Sequence, residues 1–214
     1  MRFQLWDEAV TVTTTNVRRD ANGEKIGIYP AGSRLIITGG PVERDHLTWW
    51  QVRNGFCGWV AEDAPNGAIL LDKWDPSNFG RAMRFVLSVE GGFLSAEEAA
   101  EIGDSGGATR WGLAQKFNPQ VNVATMELDQ AKRIYRDKYW NPINGDNLPW
   151  PLALTAFDFA VNAGVGTALE LLKILSDFNA YNEGRRAYYH SLKQFGVFGN
   201  GWLNRVEAIE KFIL

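Results

Sequence analysis

Around residues 72–78 the spacing of apolar residues changes from two to between three and four, so one layer of structure cannot satisfy both halves of the chain. Upstream, Val10-Thr-Val-Thr-Thr-Thr-Asn-Val17 alternates and is rich in β-branched residues. Lys25–Tyr29, Arg34–Thr38, Thr48–Arg53 and Phe56–Val60 read as further short strands. Turn residues separate them: Asp20-Ala-Asn-Gly23, Pro30-Ala-Gly-Ser33, Gly39-Gly-Pro41 and Asn54-Gly55, the last a strong hairpin signal. Strands of this length and spacing predict a small barrel, because closure removes exposed edges. Downstream the pattern is helical. Asp75-Pro76 suits a helix start, Ser95-Ala-Glu-Glu98 is a capping box for a short helix ending at Gly103, and Thr125 opens another. Leu152–Ala163, Thr167–Phe178, Glu183–Gln194 and Trp202–Ile213 complete the helices. The predicted class is α+β in two domains, an all-β barrel over 1–72 and a mainly α-helical domain over 73–214. Ala64-Pro-Asn-Gly67 and Asp72–Asn78 bracket the passage between them.

The first downstream helix ends on the most informative stretch. Phe79, Ala82, Met83, Val86 and Leu87 fall on one face, and Glu90 is the next position of that stripe. Gly91 and Gly92 follow directly and end the helix. An acidic group that continues an apolar stripe behind a helix C-terminus is placed as a general acid requires. Asp104-Ser-Gly-Gly-Ala-Thr109 then offers a tight glycine turn flanked by a carboxylate and a hydroxyl. A solvated helix end and a plain loop are the alternative, since short motifs match by chance.

Composition narrows the classes. Hydrophobic content of 45% with 22% charged residues describes a chain with a real core. Residues 1–72 hold seven basic and nine acidic side chains and residues 73–214 hold fifteen and sixteen, which argues against a nucleic-acid partner. Cys57 is the only cysteine, and His46 and His190 are far apart with no clustered partners. No disulfide framework, metal or cofactor is therefore expected. There is no apolar run of signal-peptide length and none near the ~20 residues of a membrane span. The expectation is a monomer made in the cytoplasm without stable membrane association. Of the nine tryptophans some must belong to the core, but aromatic faces are also how proteins hold sugar rings.

Asn16-Val17-Arg18, Pro30-Ala-Gly-Ser-Arg-Leu, Trp49-Trp50-Gln-Val-Arg53 and Gly58-Trp59-Val60 follow one another as in bacterial Src-homology-3-like (SH3-like) cell-wall-targeting modules, which residues 10–63 resemble. The resemblance implies a groove for wall peptide or glycan; Trp49, Trp50 and Trp59 are candidates for sharing between that groove and the core, or for belonging to the core alone.

The rest of the chain resembles the N-acetylmuramidases of glycoside hydrolase family 108, phage endolysins and related bacterial muramidases. The resemblance rests on Glu90-Gly91-Gly92-Phe93, Asp104-Ser-Gly-Gly-Ala-Thr109, Trp111-Gly112-Leu113, Ile134-Tyr135, Tyr139-Trp140-Asn-Pro142, Phe157-Asp158-Phe-Ala-Val-Asn162-Ala-Gly164 and Gly201-Trp202-Leu-Asn-Arg-Val206. It implies a lysozyme-like helical domain, Glu90 as the catalytic acid, and bacterial peptidoglycan as substrate and partner. Two departures stand out. Leu94–Gly103 inserts a capped helical turn where the family has a short loop, and the C-terminal peptidoglycan-binding segment of many members is not apparent.

Glycoside cleavage needs a proton for the leaving oxygen and stabilisation of charge at the anomeric carbon. Glu90 supplies the first, and Asp104 is the candidate for the second, as base or electrostatic partner, with Thr109 positioning water or sugar. Asp104 as a turn residue bonding its own loop is the competing reading. Asp158 and Asn162 are candidates for the cleft floor or for a structural hydrogen-bond role. Tyr139 and Trp140 are candidates for sugar platforms or for interhelix packing. The sequence is read as that of an endolysin-type muramidase, released to the wall through a holin or carried in a virion. Its rivals are a lytic transglycosylase using the same Glu90, and a non-catalytic wall-binding or virion structural protein.

Overall fold

The computed structural model describes residues 2–101 and 106–213. An antiparallel β region is followed by helices, the α+β order the periodicity predicts. The chain packs as two units, one of Met1–Asp75 with Val86–Ala131 and the other of Pro76–Phe85 with Lys132–Leu214.

In the first unit, β1 (Glu8–Thr11), β2 (Thr15–Arg18), β3 (Lys25–Tyr29), β4 (Arg34–Arg44), β5 (Leu47–Asn54), β6 (Phe56–Ala61) and β7 (Leu71–Lys73) form one sheet in the order β3-β2-β6-β5-β4-β1-β7. Residues from both ends of that order, Val17 and Tyr29 with Ala9 and Leu71, share one core with Phe3, Leu35, Ile37, Trp50, Val52 and Val60. The sheet therefore curls around a single interior. Two strands exceed the predicted set. The run predicted as one strand over 10–17 is broken between β1 and β2, where Thr11 Oγ1 donates to Pro30 O at 2.6 Å and Thr15 Oγ1 donates to Thr13 O at 2.8 Å. Such side-chain bonds to nearby backbone offer an alternative to the ladder, and the chain changes partners there, from β4 and β7 to β3 and β6.

Helix α1 (Asn78–Val89) buries Phe79, Ala82, Met83, Val86 and Leu87, the predicted stripe. After it come β8 (Phe93–Leu94), α2 (Ala96–Glu101), β9 (Thr109–Arg110) and β10 (Leu113–Ala114), the three strands forming a small antiparallel sheet. The capping box of α2 is reciprocal: Ser95 N donates to Glu98 Oε2 at 2.8 Å and Glu98 N to Ser95 Oγ at 3.2 Å.

In the second unit, α3 (Leu128–Tyr135), which begins in the first, runs into a π-helical turn at Arg136–Trp140. Then follow α4 (Leu152–Ala163), α5 (Val165–Leu172), α6 (Phe178–Ser191) and α7 (Phe195–Phe212). Every residue of α4 from Leu152 to Ala160 is buried, so α4 is the element the other helices cover. The predicted helix over Thr167–Phe178 stops at Leu172, and Asp177 caps the start of α6, accepting from Asn179 N at 2.9 Å and Ala180 N at 3.0 Å. The final helix begins at Phe195, earlier than the predicted Trp202.

Candidate active site

Glu90 is the first residue beyond α1, half-buried, with its N–H still donating to Val86 O at 2.9 Å. Its position on the stripe is thus retained one step past the helix. The reason for Gly92 differs from a helix-ending turn. A Cβ there would lie 1.8 Å from Asn66 O and 2.6 Å from Ala68 N, so only glycine lets this backbone lie against the turn that follows β6. Phe93 N donates to Asn66 O at 2.8 Å and opens β8.

Thr109 faces Leu94 across β8 and β9, and Arg110 faces Phe93. Glu90 and Thr109 are thereby tied to one small sheet, Glu90 through the two glycines before Phe93. Thr109 is half-buried, and its Oγ1 donates to Gly107 O at 3.3 Å. Gly107 takes φ +73°, the left-handed turn the glycine pair predicts. Gln115 N to Ala108 O at 2.8 Å and Lys116 N to Gly106 O at 3.0 Å fasten this turn from the next segment. Asp104 lies outside the described residues.

β9 and β10 are joined by Trp111 and Gly112, both left-handed at φ +49° and +78°, as a two-residue hairpin turn of the I′ kind requires. A buried tryptophan in that conformation is held by its own bonds. Trp111 N donates to Gly92 O at 3.0 Å, and its indole Nε1–H donates to Gly67 O at 2.9 Å. Arg110 lies over the Trp111 ring at 4.6 Å and donates from Nη1 to Ala124 O at 2.6 Å. Trp111 enters the sequence reading only within the motif Trp111-Gly112-Leu113 and Arg110 not at all, because nothing in Arg-Trp-Gly-Leu marks a hairpin.

The remaining candidates lie in the second unit. Tyr139 is half-buried, and burial raises its phenol above the ordinary value. Trp140 is wholly buried, edge-on to Phe79 and Phe157, with Nε1 donating to Asp146 Oδ1 at 2.9 Å. Of its two readings, interhelix packing describes this position. Asp158 is also wholly buried, bound by Arg185 Nη2 at 2.7 Å and Arg205 Nε at 2.8 Å. Exposed Asn162 donates from Nδ2 to Asp158 O at 2.9 Å.

In the β region, Trp50 belongs to the core and donates to Glu62 Oε2 at 2.7 Å. Trp49 and half-buried Trp59 form a second cluster with Ala21 and Ala61. Trp49, itself buried, borders a groove of about 330 Å³ lined also by Asn16, Arg18, Asn22, Leu47 and Leu70. Among the described residues no group of histidine, cysteine or acidic side chains is arranged to hold a metal, and no helix is long and apolar enough to cross a membrane.

Comparison with known proteins points to the glycosyl hydrolases. Residues 83–164 match the family model Glycosyl hydrolase 108, from Met83 in α1 through Glu90 and Thr109 to Gly164 at the end of α4. Among solved structures, that of Brucella abortus SagA is similar, with 28% identity and a TM-score of 0.52 over 63% of this chain and 93% of that one. No curated protein matches the sequence.

Proposed function

We propose that this protein is a peptidoglycan hydrolase, an N-acetylmuramidase of the endolysin type. It cleaves the β-1,4 bond between N-acetylmuramic acid and N-acetylglucosamine, with Glu90 as general acid. The observation that carries this is the Glycosyl hydrolase 108 match, which begins inside α1 and contains Glu90, Thr109 and the hairpin between them and Gln115.

In this reading Glu90 protonates the leaving glycosidic oxygen as the bond breaks. Asp104 is the partner that activates water or stabilises the positive anomeric centre, and Thr109 orients water or sugar from β9. Exposed Asn162 and the Tyr139 ring contribute to holding the glycan. Asp158, bound by two arginines, acts by fixing α4 rather than by meeting sugar. The β region binds the wall through the groove beside Trp49, which Asn16 and Arg18 also line. The protein is made in the cytoplasm and reaches the wall after release.

Mass spectrometry of purified peptidoglycan after digestion tests the reaction. Hydrolysis leaves reducible N-acetylmuramic acid ends. Anhydro ends would identify a lytic transglycosylase that uses the same acid, and an undigested wall would identify a binding protein.

A further inference from the structure

The first unit joins two parts that the sequence pattern separates. The turn after β6 is tightly organised: Ala64 N donates to Ala68 O and Gly67 N to Ala64 O, both at 2.8 Å, and Ala68 N donates to Asn66 Oδ1 at 3.2 Å. Its flanks are tied to the sheet by the Asp63–Ile69 bridge and by Leu70 N to Glu62 O at 3.0 Å. Against this turn lies the segment that follows Glu90. Asn66 O receives Phe93 N–H, Gly67 O receives the indole N–H of Trp111, and Gly92 O receives the backbone N–H of Trp111. The close approach at Gly92 leaves no room for a side chain between the two backbones.

Glu90 therefore sits between two fixed points, the last turn of α1 and a clamp anchored in the β region. Holding a catalytic group within a fraction of an ångström of its productive place is worth large factors in rate, and such groups need neighbours that over-determine them. Trp111 also bears a left-handed backbone that few tryptophans adopt, a local cost that persists only where the surroundings enforce it.

We propose that the Asn66–Gly67 turn and Trp111 are positioning residues for Glu90. The β region is then part of the catalytic apparatus as well as a wall anchor. The inference rests on the reading of Glu90 as the acid.

The test uses the full chain, soluble uncrosslinked glycan strands as substrate, and a double-mutant cycle. Trp111→Phe keeps a buried aromatic ring while removing the indole donor and part of the ring volume. It is expected to lower kcat on the order of tenfold, with KM and binding to sacculi changed by less than about twofold. In a Glu90→Gln background the same substitution is expected to leave the residual rate unchanged, since there is no longer an acid to position. Asn66→Ala, which removes the Oδ1 acceptor shaping an exposed turn, is expected to lower kcat in the same direction by less. It stands in if Trp111→Phe does not fold. Unchanged kcat in the folded variants, or an equal loss with and without Glu90, would overturn the positioning role and leave the acid in place. Full activity of Glu90→Gln alone would instead overturn the reading of Glu90, and the inference with it.

Discussion

Asp158 and Arg185 meet at 2.7 Å with neither side chain exposed to solvent. Asp158 offers its other oxygen to Arg205, and Arg185 Nη1 donates to Thr155 Oγ1 at 2.7 Å, so the pair stitches α4 to α6 and α7. Breaking a buried pair by deleting one partner strands the other charge, typically at a cost of about 3–5 kcal/mol. Asp158→Ala is expected to lose stability on that scale in urea unfolding. Asn162→Ala, which removes an exposed donor to a helix carbonyl, is expected to lose less than about 1 kcal/mol. A stable Asp158→Ala protein that fails to bind soluble glycan would return Asp158 to the cleft floor.

The buried phenols of the same unit set its alkaline limit. Burial pushes the Tyr181 phenol well above its ordinary 10.0, with Arg185 opposing and Tyr189 adding to the rise. Burial likewise raises Tyr189, again against Arg185. Between the ordinary and the folded values, the unfolded chain has released protons that the folded chain keeps. Stability is thus full below about pH 10 and falls as pH climbs toward the folded values. Urea midpoints are expected to drop above about pH 10. Tyr181→Phe, which gives up a bond to Ala168 O, is expected to start lower and fall less steeply. Midpoints that stay level through this range would contradict the argument.

The fold class was legible because period two and period 3.6 are local properties of a chain. Lys25–Tyr29 and Leu152–Ala163 form as predicted from their spacing and their turn or cap signals. Boundaries set by a single side chain were harder, as at Asp177, which reads equally well inside a helix and at its start. The stripe that ends on Glu90 was visible for the same local reason. The anchoring of the segment that follows Glu90 was not, because it is made by backbone carbonyls of Asn66, Gly67 and Gly92 and by the φ of Trp111. No residue type signals those in advance. Asp158 and Trp140 were ambiguous because polar and aromatic residues on a helix look alike in sequence whether they face a cleft or a neighbour.

The groove beside Trp49 carries the wall-binding part of the account. Arg18 lies 5.8 Å from the Trp49 ring centroid and donates to Gly23 O at 2.7 Å, and it lines the groove together with Asn16. Asn16→Ala with Arg18→Ala in the full chain is expected to weaken sedimentation with sacculi several-fold. Turnover of soluble glycan strands is expected to be unaffected. Sedimentation equal to that of the unaltered protein would make the β region a support for the Glu90 segment alone.

The central claim is that Glu90 delivers the proton. Clearing of purified peptidoglycan by Glu90→Gln, compared with the unaltered protein at matched fold and wall binding, tests it most directly. Glutamine keeps the shape and cannot act as the acid, so the rate is expected to fall by about 10²-fold or more. Clearing at the unaltered rate would contradict both the assignment of Glu90 and the mechanism built on it.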